Sequence, residues 1–191
     1  MYQKYNTEAL ILSCREFGEA DKVFALYTKD FGLVRARASA VRSEKSKMRY
    51  ALQKFSRANV SLVKGKRGWR VAGATATKSA TGDLRGVLTF ARICELVLRL
   101  VQGQEQNEYL FAALAEAQAA LMAKENSNVI GVIEIVCVAR ILYALGYISN
   151  EALSTALFSH TAYTGESLLE AETLKDKLLS SINKAIAETQ L

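Results

Sequence analysis

The hydrophobic period of this chain changes once, and the change falls in the polar stretch Thr77–Gly82. Before it, apolar residues recur at alternate positions, the pattern of strands whose side chains point to two faces in turn. After it they recur every three or four positions, as on helices. Strands gathered first and helices second make an α+β chain, here divided as residues 1–80 and 81–191. Half of the 191 residues are hydrophobic, enough for a packed core. The chain has no proline, which excludes Pro-rich linkers and polyproline segments.

The first part reads as five short strands. Thr7–Cys14 is an apolar run, and Arg15–Ala20 is a turn. Asp21–Thr28 alternates, with Val23, Ala25 and Tyr27 on one face. Lys29–Gly32 is the next turn. Leu33–Val41 alternates again, with Val34, Ala36, Ala38 and Ala40 facing one way and Arg35 and Arg37 the other. Arg42–Tyr50 is a polar basic loop, and Phe55–Val63 is a fourth strand. Lys64–Gly68 is a glycine-flanked hairpin tip leading into the fifth strand, Trp69–Ala76. Five antiparallel strands in so short a span suit a small barrel, the five-stranded OB-fold above all.

The second part reads as an all-α domain. Leu84–Val101 carries apolar residues at 84, 87, 88, 91, 94, 98 and 101. Asn107 is placed to cap Glu108–Lys124, and Asn128 to cap a helix running to Leu145 with Gly146 as its terminator. That third helix is apolar nearly all round, so it should be central. A shorter helix near Asn150–Ser159 and a last one near Glu166–Thr189 complete the domain.

Charge follows the same division. Residues 1–82 hold 17 Lys+Arg against 6 Asp+Glu, and residues 83–191 hold 8 against 13. A net of +11 thus faces a net of −5, the remainder being the +6 of the whole chain. Within residues 35–70 there are 12 basic residues and one acid, Glu44. Such a density of one sign repels itself and points to a polyanionic partner, with the acidic part left for protein partners.

Catalytic chemistry has little to work with. No Walker-type or G-x-G-x-x-G phosphate loop occurs. His160 is the only imidazole, has no acidic residue beside it, and reads as flanking a helix end. Glu16, Glu19 and Asp21 cluster, but in a turn beside Gly18, where they read as turn acids opening a strand rather than ligands of a two-metal nuclease. Cys14, Cys94 and Cys137 form no C-x-x-C pair, so neither a zinc spacing nor a disulfide framework is expected. Unpaired thiols and a start without an apolar leader fit the cytoplasm. The longest apolar stretch, Val129–Leu145, contains Glu134 and Arg140 and reads as a buried helix rather than a membrane span.

Several ordered motifs then become specific. The run Ala9–Ser13, the turn Phe17-Gly18-Glu19-Ala20-Asp21-Lys22-Val23 and the segment Leu26–Gly32 resemble the opening of the bacterial recombination mediator RecO family. Arg42–Lys47 is similar to that family's basic "R-x-x-K-S-[KR]" loop, and Leu52–Phe55 to its "L-Q-x-F" segment. Arg140–Tyr147 resembles its "R-L-L-x-x-L-G-Y" stretch. The resemblance is dense over residues 8–76 and thin beyond, apart from 140–147. It implies an OB-fold on a helical domain and no enzymatic activity. It also implies binding of single- and double-stranded DNA, annealing of complementary strands, and help in placing RecA on strands coated by single-stranded-DNA-binding protein, together with RecR. Many members hold zinc through four cysteines after "L-G-Y"; Ile148–Gly165 has no Cys, so no cofactor or metal is expected here.

Site residues follow from charge and position. Single strands are gripped by a basic groove plus stacking aromatics. Arg35, Arg37, Arg42, Lys45, Lys47 and Arg49 are expected along one wall, and Lys64, Lys66, Arg67 and Arg70 along the other. Tyr50, closing the basic loop, is the stacking candidate; Trp69 shares a strand face with Val71 and is open between core and platform. Arg140 has two readings: a buried, paired arginine, or a cation meeting a carboxylate on the acidic tail of single-stranded-DNA-binding protein. The rival for the whole chain is an OB-fold RNA-binding accessory protein without a repair role. A third reading is a helical interaction scaffold whose basic barrel is incidental.

Overall fold

The computed structural model describes residues 3–123, 127–149 and 155–189. The chain divides into two compact units. One joins residues 1–80 to Gln102–Glu108; the other joins residues 81–101 to 109–191.

The first unit is a closed five-stranded barrel of OB type. Its strands are β1 (Lys4–Phe17), β2 (Asp21–Thr28), β3 (Gly32–Ala38), β4 (Arg57–Gly65) and β5 (Gly68–Lys78), in the order β1-β2-β3-β5-β4. β1 is long enough to serve two neighbours. Residues 4–10 pair with β4, residues 9–17 pair with β2, and a register shift between Ile11 and Ser13 lets the strand bend between them. All pairs are antiparallel except β3 with β5, where Ala36 lies beside Trp69 and Arg37 beside Arg70.

The alternation that marked the strands also fills the barrel. Ala9, Ile11, Phe24, Leu26, Val34, Ala36, Ala38, Ala58, Val60, Leu62 and Val71 form its interior with Trp69. Small alanines among large side chains suit the narrow interior of a barrel of only five strands. Val41 and Leu52, from the segment between β3 and β4, join the same cluster, and a one-turn helix α1 (Met48–Ala51) lies within that segment.

The strand ends differ from the sequence reading. β1 extends to Lys4 and Phe17, and β4 starts at Arg57 because Phe55 takes a left-handed φ of 67°. Ala40 does not continue the inward face of β3. The strand stops at Ala38, and Ala40 turns with φ 52° while its N–H donates to Asp21 Oδ1 at 2.8 Å. That conformation is costly for any residue with a Cβ. Ala40→Gly should therefore stabilise the barrel by about 0.5–1 kcal/mol, since the relief exceeds the added freedom of the unfolded chain. Thermal unfolding checks this, and a lowered Tm would contradict it.

The second unit is helical: α2 (Leu84–Leu100), α3 (Glu108–Ala123), α4 (Ser127–Ala144), a 3-10 turn (Ala156–Phe158), α5 (Gly165–Thr173) and α6 (Lys175–Glu188). α4 is central as its composition predicts, packing on α2, α5 and α6. Asn128 lies inside α4 rather than before it. Gly146 ends that region as expected: at φ 80° it donates to Tyr143 O while Tyr147 N donates to Leu142 O, a Schellman closure.

The buried stripe of α2 runs through Gly86, Phe90, Ile93, Val97 and Leu100, so Leu84 and Leu88 lie in solvent. The stripe is displaced because Gly86 approaches the Leu121 backbone of α3 so closely that a Cβ would meet its carbonyl. The single last helix of the sequence reading is two helices broken at Leu174, just after Thr173, whose hydroxyl donates to Glu170 O at 2.7 Å. Of the expected helix near Asn150–Ser159, residues 150–154 lie outside the described residues, and the remainder is the 3-10 turn, capped by Thr155. Among the described residues, no helix is long and apolar enough to cross a membrane.

Candidate nucleic-acid interface

The exposed face of β3 presents Arg35 and Arg37 between Val34, Ala36 and Ala38, each of which is fully buried. Arg37 is held in place. Its Nε and one terminal nitrogen both reach Asp21 Oδ2 at 2.6 Å, and its guanidinium lies 4.5 Å from the centre of the Phe17 ring. Asp21 reaches it because β2 begins there and Lys22 pairs with Ala38 at the end of β3. The N–H of Ala40 and the Arg37 fork hold the Asp21 carboxyl below its ordinary value. It therefore stays ionised at neutral pH, and the clamp is lost only as acid titrates it below the usual carboxylate range. An arginine has five N–H donors, so one tied through two of its nitrogens still presents donors outward.

The parallel pairing of β3 with β5 brings the hairpin to this arginine. β4 and β5 join through the two-residue turn Lys66–Arg67, between Gly65 and a Gly68 at φ 96°. Arg37, Lys66, Arg67 and Arg70 then surround one cavity of about 460 Å³, together with Ser39, Trp69 and the glycine backbone. No carboxylate is among its described lining residues.

A second, smaller cavity of about 220 Å³ lies beneath the segment that follows β3. Phe24, Val41 and Leu52 make its floor, and Lys22, Arg42 and Arg49 its rim. Arg42 also meets Glu16 at 3.3 Å and Gly18 O at 3.5 Å. Next to the rim, Tyr50 is 64% exposed with the Arg49 guanidinium 5.3 Å from its ring centre.

The two expected walls are thus distributed differently. Arg37 joins the hairpin cations Lys66, Arg67 and Arg70, while Arg42 and Arg49 join Lys22. Arg35, Lys45, Lys47 and Lys64 are exposed and line neither cavity; Lys64 lies over the Trp69 ring at 5.4 Å. Trp69 is core: 7% exposed, edge-on to Tyr5, tilted against Phe31, its Nε1 donating to Gln104 Oε1 at 3.0 Å. Phe17 and Lys22 stand in the sequence only as the ends of the turn motif and Ser39 only as a polar strand position, none of them as a site residue. Only the pairing register places them beside the cations.

Arg140 corrects the surface reading. It is fully buried, Nε donating to Leu157 O at 2.9 Å and the terminal nitrogens to Thr161 O at 2.7 Å and Ala162 O at 3.3 Å. The Tyr163 ring covers it at 4.7 Å. An acidic tail has no access to this guanidinium, and its described partners are carbonyls rather than a glutamate. The Cys137 thiol nearby is pushed up to about 12 by burial, so it offers no thiolate. Among the described residues no group of three His, Cys, Asp or Glu is placed to hold a metal.

Residues 1–93, the whole barrel and the start of α2, match the family model described as "Recombination protein O N terminal". Over those residues the chain is similar to the RecO family. Proteins named "DNA repair protein RecO" are similar to it. That of Dehalococcoides mccartyi is 32% identical over 114 residues, which is 58% of this chain and 45% of that protein. That of Pelotomaculum thermopropionicum is 30% identical over 115 residues, 59% and 45% respectively. That of Myxococcus xanthus is 30% identical over 127 residues, 64% and 52%. The chain therefore spans about half the length of the curated relatives it matches.

Proposed function

We propose that this chain is a DNA-binding recombination mediator that makes and breaks no covalent bond. In this reading the barrel, residues 1–80, binds single- and double-stranded DNA and anneals complementary strands. It helps place RecA on single strands coated by single-stranded-DNA-binding protein. RecR and the acidic tail of that coating protein are the protein partners, met through residues 81–191, in the cytoplasm at the nucleoid. The observation that carries the reading is the cavity ringed by Arg37, Lys66, Arg67 and Arg70 in a barrel of RecO type.

Phosphate contacts carry no base information, so the grip is largely independent of sequence. Annealing needs two polyanions brought together, and cations fixed on a rigid strand and hairpin lower their repulsion without reorganising.

The test is annealing of complementary strands coated by single-stranded-DNA-binding protein, with salt titrations of the bare strand. The chain should accelerate annealing. Lys66→Ala/Arg67→Ala/Arg70→Ala should flatten the slope of log affinity against log salt by about 2, at roughly 0.7 for each phosphate no longer neutralised. Failure to retain any strand at low salt, or an unchanged slope in the triple variant, would overturn the proposal. Tighter retention of a matched RNA strand would move it to an RNA-binding accessory protein.

A further inference from the structure

We propose that the smaller cavity, floored by Phe24, Val41 and Leu52, takes one unpaired nucleobase and so gives the barrel a preference for single strands over duplex. The inference rests on the DNA-binding reading above and adds to it a base subsite.

Four observations support it. The floor is apolar, made by Phe24, Val41 and Leu52 beneath the charged rim, each at most 4% exposed. The volume, about 220 Å³, lies below the range of roughly 300–1,000 Å³ typical of sites for larger ligands, and suits a single ring system. The rim carries three cations from two directions, Lys22 from β2 and Arg42 and Arg49 from the following segment. A base turned into an apolar slot has a phosphate on either side, and cations flanking the slot answer both. The exposed Tyr50 ring beside Arg49 offers the neighbouring base a stacking surface.

A base held inside a duplex reaches the slot only by leaving its stack and its partner, at a cost of a few kcal/mol. A base of a single strand meets little of that cost. The floor offers no polar group for reading base edges, so the subsite should accept any base.

Two comparisons test the proposal. With the native chain, a short thymidine oligomer is compared with an abasic oligomer of equal length and charge, and again in Tyr50→Ala to remove stacking on the exposed ring. The abasic strand should bind about five- to hundredfold more weakly in both backgrounds, the range that base stacking on protein side chains provides. Equal affinities overturn the subsite while leaving DNA binding intact; no binding of any strand overturns both readings. In the second comparison Val41→Phe fills the slot. Affinity for the thymidine oligomer should fall to that of the abasic strand, with duplex affinity unchanged. Equal losses on both substrates overturn the proposal. So does a slot that proves to belong to a peptide, shown by Val41→Phe releasing an acidic peptide with an aromatic side chain but no strand. Should Val41→Phe not fold, the abasic comparison decides alone.

Discussion

Arg140→Met should destabilise the helical unit by about 3–5 kcal/mol. The substitution keeps much of the volume but removes the arginine donors from the buried carbonyl of Leu157 and the half-buried ones of Thr161 and Ala162, of which Ala162 O keeps only a long bond from Ser167 Oγ at 3.4 Å. A buried acceptor left unpaired costs about 1–3 kcal/mol, so the sum is large for a single change. It also removes the cation from the face of Tyr163. Arg140→Lys should recover only part of this loss, because one ammonium cannot span three carbonyls met by a planar fork. Urea unfolding of the intact chain, followed by far-UV circular dichroism, reads the first number. Amide exchange across residues 157–163 should rise in parallel. A loss below about 1 kcal/mol would mean that the segment re-forms its hydrogen bonds with water and that Arg140 does not pin it.

Gly32→Ala should cost the barrel about 2–5 kcal/mol. Gly32 opens β3 at φ 60°, where a Cβ adds roughly 1–2 kcal/mol of backbone strain. A Cβ there would also lie 2.1 Å from the carbonyl oxygen of Glu105. Backbone of the Gln102–Glu108 segment cannot retreat as a flexible side chain would, and overpacking of this kind adds about 1–3 kcal/mol. The turn before it is rigid as well, because Thr28 Oγ1 donates to Gly32 O at 2.9 Å and accepts from Phe31 N. Trp69 fluorescence during urea unfolding reports on this region directly, since its indole donates to Gln104 in the same segment. An unchanged midpoint would show that the segment lifts away without cost.

How far the chain could be read in advance depended on the range of the interactions. β3 was legible because strict alternation leaves Arg35 and Arg37 no choice of face. Five strands and a central α4 followed from the same local logic. The strand ends were not legible. Ala40 fits an alternating pattern in sequence, and only the Asp21 carboxylate, 19 residues away, shows that it turns. The displaced stripe of α2 depends on Gly86 meeting a neighbouring helix, which composition does not record. Arg140 was half legible: its apolar surroundings implied burial, but its partners lie on irregular chain 17–22 residues later. The grouping of cations was the least legible. Which arginines share a cavity is set by the β3–β5 register, a pairing between residues more than 30 positions apart.

The Gln102–Glu108 segment has a consequence for the order in which the chain acquires structure. The barrel's last strand ends at Lys78, yet the unit that contains it is completed only by residues from 102 to 108. Between them lies α2, which belongs to the other unit. As the chain is synthesised, the five strands can pair before α2 emerges, but Trp69 then lacks its Gln104 acceptor and Gly32 lacks its neighbour. The barrel therefore passes through a stage with all its strands and an unfinished flank, and that flank is completed only after a helix it does not own has been made.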